Sequence, residues 1–313
     1  MSARDERLCL FYNVENLFDT KHDAGTSDRD FLPEGDKKWT QKRYQSKLNA
    51  IAHVLDNVSK PLPALIGLAE VENKDVINDL LNNDIFSSSN YLYIHEDGPD
   101  QRGIDVALLY DADSFKCISY KTIEIPFPWQ KLIKTRHILY VHGSYQDEEI
   151  HLYINHWPSR SGGEEATESK RLQAAWILKQ DVERVMADDS EARIIIMGDF
   201  NDTPEESSFI EVLNASDLSS ESPLINLSLK PYHKGEGTLV YADKWEMFDQ
   251  IIVSRNLFSD TGLRINMDAM EIFKPDWILK KEQSVSSPHN TYENDRYLGG
   301  YSDHLPVYIT IIV

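Results

Sequence analysis

Nine short runs rich in β-branched and aromatic residues recur from one end of the chain to the other, and they restrict its fold more than any other feature. They are RLCLFYN (7–13), ALIGLAEV (64–71), GIDVALLY (103–110), KCISYKTIEI (116–125), RHILYVHGSY (136–145), EIHLYINH (149–156), RIIIMGD (193–199), EMFDQIIVS (246–254) and PVYITIIV (306–313). Several are continuously apolar, as strands covered on both faces must be, whereas HLYINH alternates. Two longer stretches carry helical periodicity. Residues 40–58 put Tyr44, Leu48, Ile51 and Leu55 on one stripe, with Thr40 as N-cap. Residues 164–188 put Leu172, Ala175, Trp176 and Val182 on another, with acids at the start as the helix dipole favours. A shorter helix is predicted over 73–82. Many strands and few helices predict α/β: two packed sheets with helices outside them.

No repeat, low-complexity tract or long linker divides the 313 residues, so one domain over 1–313 is expected, and a monomer. The 52 acidic against 32 basic residues leave a net charge of −20, which repels polyanions at long range. That argues against passive nucleic-acid binding. It does not exclude an enzyme acting on phosphate esters, because bound divalent cations reverse the local field. No apolar run is long enough to span a bilayer, so no transmembrane segment is expected. MSARDERLCLFYN shows no apolar stretch before a small-residue cleavage site. A cytoplasmic protein is therefore expected, or a secreted or periplasmic one if a signal has been removed. Cys9 and Cys117 fall in predicted strands and are expected to be buried and unreactive.

The polar residues collect where strands end. LFYNVEN puts Asn13 and Glu15 two apart; ALIGLAEVEN runs into Glu70 and Glu72; HLYINHWPSR delivers His156 and then Arg160. RIIIMGDFND delivers Asp199 and Asn201, FDQIIVS carries Asp249, and YSDHLPVYIT opens the last strand with Asp303-His304. Any one of these, alone, reads as a turn or a helix cap. Turn chemistry does not explain amides and histidines landing repeatedly beside carboxylates, so a shared active site is the better account of the set.

In this order the motifs resemble the endonuclease/exonuclease/phosphatase superfamily, which includes deoxyribonuclease I, exonuclease III-type abasic endonucleases and sphingomyelinases. GDFN with a late SDH is the specific part, and the match runs from Asn13 to His304. RYLGGYSDHLPV with INHWPSRSGG is most similar to a bacterial branch that does not specify a substrate. The resemblance implies a four-layer α-β-β-α sandwich with two mostly antiparallel mixed sheets. It implies Glu70 as the principal metal carboxylate, Asp303 as a second ligand or close neighbour, Asn13 steadying Glu70, and Glu15 as an acid near the metal. It further implies Asp199 and Asn201 orienting the attacking water and holding phosphate, His304 as catalytic histidine with Asp249 as its partner, and His156 as a second histidine. Ala64 and Ala69 depart from the Asp and Gln that many relatives carry there.

The chemistry agrees with the residue types. A phosphodiester repels hydroxide, so hydrolysis needs neutralised charge, an oriented water and help for the leaving oxygen. Carboxylates without clustered Cys or His favour a hard cation, Mg²⁺ first, with Mn²⁺ or Ca²⁺ as substitutes. Phe200, between Asp199 and Asn201, is expected to point into the core. Arg160 and Arg171 are candidate phosphate clamps, with a surface pair as the other reading for Arg171. Tyr110 is expected to pack in the core, Gly162-Gly163 to free the loop before the helix, and His53, His95, His142 and His151 to be structural. KKWTQKRYQSK (37–47) reads first as a solvated helix face and second as a strand-tracking patch using Trp39 and Tyr44. IPFPWQ (125–130) reads as a core strand edge rather than a membrane-binding tip.

The expected function is a divalent-metal-dependent phosphodiesterase with nuclease activity, with DNA or RNA as possible substrates but no stable nucleic-acid partner. The alternatives are a phosphatase or phospholipase C-like hydrolase of small or lipid-linked esters, and a binding protein on the same fold. The loops at 20–39, 125–135 and 280–301, which would choose the substrate, carry no signature that can be decoded.

Overall fold

The computed structural model describes residues 6–280 and 286–313, so residues 281–285 of the 280–301 loop lie outside the described residues. All nine predicted runs form strands, shared between two sheets. The first sheet has, in spatial order, Glu271–Ile272, Val307–Ile312, β1 (Glu6–Leu17), β2 (Leu65–Val71), β4 (Asp105–Asp111) and β3 (Tyr91–His95). The second has β5 (Phe115–Ile123), β6 (Ile138–Tyr145), β7 (Glu148–His156), β8 (Ile194–Asp199), Asp249–Ser254, Leu224–Asn226 and Ala215–Ser216. Parallel pairing is confined to β1–β2, β7–β8 and the short outer pair; every other pairing within the two sheets is antiparallel. The strand β3, YLYIH, was not anticipated: its mixed burial leaves no clean period to read.

Three apolar clusters separate four layers. Cys9, Phe11, Leu108, Leu152, Ile154 and Met197 belong to the seam between the sheets. Leu10, Tyr12, Ile66 and Leu68, with the helix residues Leu48, Ile51 and Leu55, close the outer face of the first sheet. Ile194, Ile196, Leu178 and Val182 close that of the second. The inner strands β2, β4, β8 and Asp249–Ser254 are thus covered on both sides, which is why their sequences are apolar at consecutive positions, whereas the outer strand β5 is largely exposed.

Helix α1 (Gln41–Val58) starts where the sequence suggests: the Thr40 hydroxyl accepts the Arg43 N–H, and Tyr44, Leu48, Ile51 and Leu55 are all buried. Helix α2 (Lys74–Leu81) is capped by Asn73, which accepts from Asp75 and Val76. Helix α3 (Glu164–Asp188) has the predicted bounds but a different buried face. Trp176 is 49% exposed, and Ala174, Ala175, Leu178 and Val182 face the sheet with Arg171 and Asp181. Two adjacent alanines let the helix sit close, and the buried ions are tolerated because each is paired.

The strand-tracking reading of 37–47 fails, because Trp39 and Tyr44 are core residues: Trp39 is fully buried and donates its indole N–H to the Phe18 carbonyl. Tyr110 packs edge-on against Phe115, as expected of a core residue. Cys9 is buried, whereas Cys117 is only partly so.

Candidate active site

The topology brings the polar residues together. In a parallel pair both C-terminal ends lie at one edge, so β1 and β2 deliver Asn13 and Glu70 side by side, and β7 and β8 deliver His156 and Asp199 in direct register. An antiparallel neighbour contributes its N-terminal end to that edge, and Asp249 stands opposite Asp199. The turn carrying Asp303 and His304 leads into Val307–Ile312 beside β1. It is tied down by Ser302, whose hydroxyl donates to the Asn13 carbonyl at 2.7 Å and accepts the His304 N–H at 3.1 Å.

The backbone is bent at the same places. Glu15 (φ 51°), Asn16 (φ 54°), Glu70 (φ 65°) and Asn201 (φ 53°) are all left-handed, a conformation that asparagine tolerates and that is unfavourable for the two glutamates. The β1–β2 and β2–β4 registers shift at Asn13/Leu17 and Ala69/Val71. Such bulges re-aim a side chain that simple alternation would point elsewhere. Glu70 is held in its new direction by the Asn16 N–H, 2.9 Å from its Oε2.

Asp199 is the hub. Its Oδ2 accepts from Asn13 Nδ2 at 3.0 Å and lies 3.5 Å from His156 Nε2 and 3.9 Å from His304 Nε2. Its Oδ1 accepts the Asn201 N–H at 3.1 Å. Burial raises its carboxyl to about 6, aided by Asp249 and Glu70 and opposed by His304. His304 Nδ1 is 2.7 Å from Asp249 Oδ2. Burial alone would lower His304, but Asp249, Asp303 and Asp199 outweigh it and hold the imidazolium well above its ordinary range. His156 goes the other way. Burial, then the cations Arg136, Arg102 and His304, push it well below that range and keep it neutral. Its Nε2 lies 3.8 Å from Glu70 Oε1.

Asp303 is half exposed where the cleft opens, and its carboxyl is raised by the surrounding walls and by the nearby charge of Glu70. Asp303 thus feels the charge of Glu70, and carboxylate oxygens are the donors a hard cation prefers. Among the described residues, Asp199, Asp249 and His304 also converge closely enough to hold an ion. Asp249 Oδ2 is bonded to His304 Nδ1, while Asp249 Oδ1 is buried without a hydrogen-bond partner.

Four expected roles change. Asn13 steadies Asp199, not Glu70, because β1 and β8 meet across the seam between the sheets. Glu15 is engaged by other groups: its carboxylate accepts the N–H groups of Thr291 and Tyr292 and lies 3.8 Å from buried Lys47, while still feeling the charge of Asp303. Arg160 and Arg171 are not directed at the cleft. Arg160 binds the Asn201 carbonyl, Asp202, Glu206 and Glu164; Arg171 binds Asp202, Thr167 and the Glu164 carbonyl. Both brace the GDFND turn from behind, since burial forces each cation to find a carboxylate. Asn201 keeps its place, with one amide N–H committed to the Trp157 carbonyl at 3.1 Å. Phe200 points into the core against Trp157 and Phe209.

Arg102 was missed. Its Nη2 is 3.7 Å from Glu70 Oε1 and its side chain is 45% exposed, making it a cation at the cleft mouth. It lies in the turn sequence DGPDQRG, where nothing local marks it as different from any solvated arginine.

The family model described as Endonuclease/Exonuclease/phosphatase family matches residues 9–312. No curated protein matches the sequence. Among solved structures, humanized D. rerio TDP2 aligns with a TM-score of 0.61 at 13% identity, covering 98% of each chain. An endonuclease/exonuclease/phosphatase family protein from Bacteroides thetaiotaomicron aligns with a TM-score of 0.59 at 15% identity, covering 99% of this chain and 98% of that one. D. rerio TDP2 complexed with single strand DNA product aligns with a TM-score of 0.59 at 14% identity, covering 98% of this chain and 99% of that one. At these identities the likeness is one of fold.

Proposed function

The chain belongs to the endonuclease/exonuclease/phosphatase family, and from that premise we propose that it is a divalent-metal-dependent phosphodiesterase with nuclease activity. The observation that carries the reading is the meeting of two histidines in opposite protonation states at Asp199 Oδ2, with Glu70 on the far side. Single-strand DNA bound to D. rerio TDP2 supports a nucleic-acid ester as the substrate class.

Asp199, ionised at neutral pH, accepts a proton from the attacking water and aims its oxygen at phosphorus; Asn13 and the Asn201 N–H fix that carboxylate. Asn201 offers its remaining amide N–H to phosphate without adding negative charge. His304, kept cationic by Asp249, donates to a phosphoryl oxygen as negative charge builds there. His156, neutral, can donate a hydrogen bond without repelling the cation. Arg102 is placed to meet a second phosphoryl oxygen at the cleft mouth. Glu70 and Asp303 would hold Mg²⁺, with Mn²⁺ or Ca²⁺ as substitutes. When bound, the cation neutralises phosphoryl and leaving-group charge.

The net charge of −20 favours a second reading, a phosphatase or phospholipase C-like hydrolase of small or lipid-linked esters, over one that tracks a long polyanion. Hydrolysis of bis-(p-nitrophenyl) phosphate, its monoester and plasmid DNA, with Mg²⁺, Mn²⁺ or EDTA, separates them. Diester and DNA cleavage abolished by EDTA is expected. Asp199→Asn and His304→Ala are each expected to lower kcat by about 10²–10⁴ with little change in stability. Near-native turnover in either variant would sink the assignment.

A further inference from the structure

A cavity of about 540 Å³ lies between the turn at Asp97–Pro99 and the segment joining β5 to β6. It is connected to the active site through paired side chains. Arg136, between two of its lining residues, donates to the Trp157 carbonyl at 2.7 Å, next to His156, and to Asp100 at 3.0 Å. Asp100 lies 3.9 Å from Arg102, which in turn lies 3.7 Å from Glu70. Leu139 pairs with Ile154 in the antiparallel β6–β7 ladder, so the lining residue His137 lies two residues before that pair and His156 two residues after it, on neighbouring strand ends; the cavity borders the strand end that delivers His156.

The lining combines an apolar floor with unpartnered polar atoms. Ile125, Phe127 and Ile133 supply the floor. Thr135, 5% exposed, and the partly buried His137 also line it, and Thr135 Oγ1 and His137 Nδ1 are buried without a hydrogen-bond partner in the protein. Burial lowers His137, so its ring is neutral and offers both a donor and an acceptor. Lys131 and Lys134 stand at the rim, with Asp97 and Glu124 among the lining residues. Trp129, 51% exposed, is in ring contact with the lining residue Phe127.

Resting on the phosphodiesterase reading above, we propose that this cavity is a subsite for the nucleoside of a nucleotide ester, with Thr135 and His137 reading the polar edge of the base. A planar heteroaromatic ring satisfies the apolar floor, and its ring N–H and carbonyl groups can pair the two orphaned groups. A saturated acyl chain would fill the floor but leave the hydroxyl and imidazole unpaired, which is costly in a buried site. Trp129 supplies a face for stacking, a contact that every base can make.

The test compares two diesters that release the same p-nitrophenolate with Mg²⁺: the p-nitrophenyl ester of thymidine 5′-monophosphate, and methyl p-nitrophenyl phosphate, which has no base. The protein is expected to favour the nucleotide ester by about tenfold or more in kcat/KM, the scale of one or two well-made contacts. Thr135→Val and Trp129→Ala should each reduce that ratio several-fold and leave turnover of the methyl ester unchanged. Equal kcat/KM for the two esters, or a ratio that neither substitution moves, overturns the subsite while the hydrolase reading stands. Cleavage of neither ester counts against the hydrolase reading instead. Calorimetry with thymidine 5′-monophosphate then decides the subsite: binding weakened by Thr135→Val supports it, and no binding overturns it. Preference for phosphatidylcholine vesicles over the nucleotide ester, lost in Trp129→Ala, overturns it in favour of a lipid.

Discussion

At the scale of single residues, the same side chain is set to opposite states by its surroundings. His304 and His156 both face Asp199 Oδ2, yet carboxylates hold the first charged while burial and arginines hold the second neutral. Asp249→Asn removes the charge on which the first state depends. It is expected to lower kcat for a phosphodiester by about 10²–10⁴, measured under saturating Mg²⁺, and to lower the urea midpoint as well, because the pair it breaks is buried. Far from the cleft, His151 stacks on His142 with ring centroids 4.6 Å apart and is lowered from 6.5 to about 4 by burial and by that neighbour. The unfolded chain therefore binds the proton more readily than the native one between those values. Stability from this group is present above pH 6.5 and is lost as pH falls toward 4. His151→Gln should flatten that fall, read as a smaller shift in urea midpoint between about pH 7 and about pH 4.5.

At the scale of elements, the turn after β8 is held from outside the active site. Asp202 joins α3 to this turn by accepting from Arg171 at 2.5 Å, Arg160 at 3.3 Å and Ser208 at 2.8 Å. Asp202→Ala would leave two buried guanidinium groups without their shared carboxylate. The expected cost is about 3–5 kcal/mol, measured by urea denaturation. Because Arg160 also holds the Asn201 carbonyl, kcat should fall as well, although Asp202 touches no substrate. A variant as stable as the parent would show that Glu206, Glu164 and Thr167 suffice to satisfy both arginines.

For the whole molecule, the active centre is assembled across the seam between the sheets. Asn13 and His304 come from the first sheet and bind Asp199 and Asp249 of the second. The seam itself is apolar, with Ile154 fully buried in it. Ile154→Ala should cost about 2–5 kcal/mol. Activity and far-UV circular dichroism should then be lost together along a urea titration, since a site made of both sheets cannot outlast their contact. Persistence of activity after loss of structure would contradict this assembly.

The strands, the helix bounds and the cluster of acids, amides and histidines at strand ends were legible because each is a local pattern: period, cap and composition act within a few residues. The IIIM core of RIIIMGD is apolar at every position because both its faces are covered, and Thr40 announces a helix by what its side chain can accept. Contacts between residues far apart in sequence were not legible. Asn13 reaches Asp199 across 186 residues and Glu15 turns to Thr291 across 276, each directed by a left-handed bend or a bulge that no residue type there requires. Arg160, Arg171 and Arg102 are chemically alike, and sequence assigned the phosphate to the first two. Tertiary structure sets their partners: buried Arg160 and Arg171 are paired with Asp202, whereas the half-exposed Arg102 lies beside Glu70.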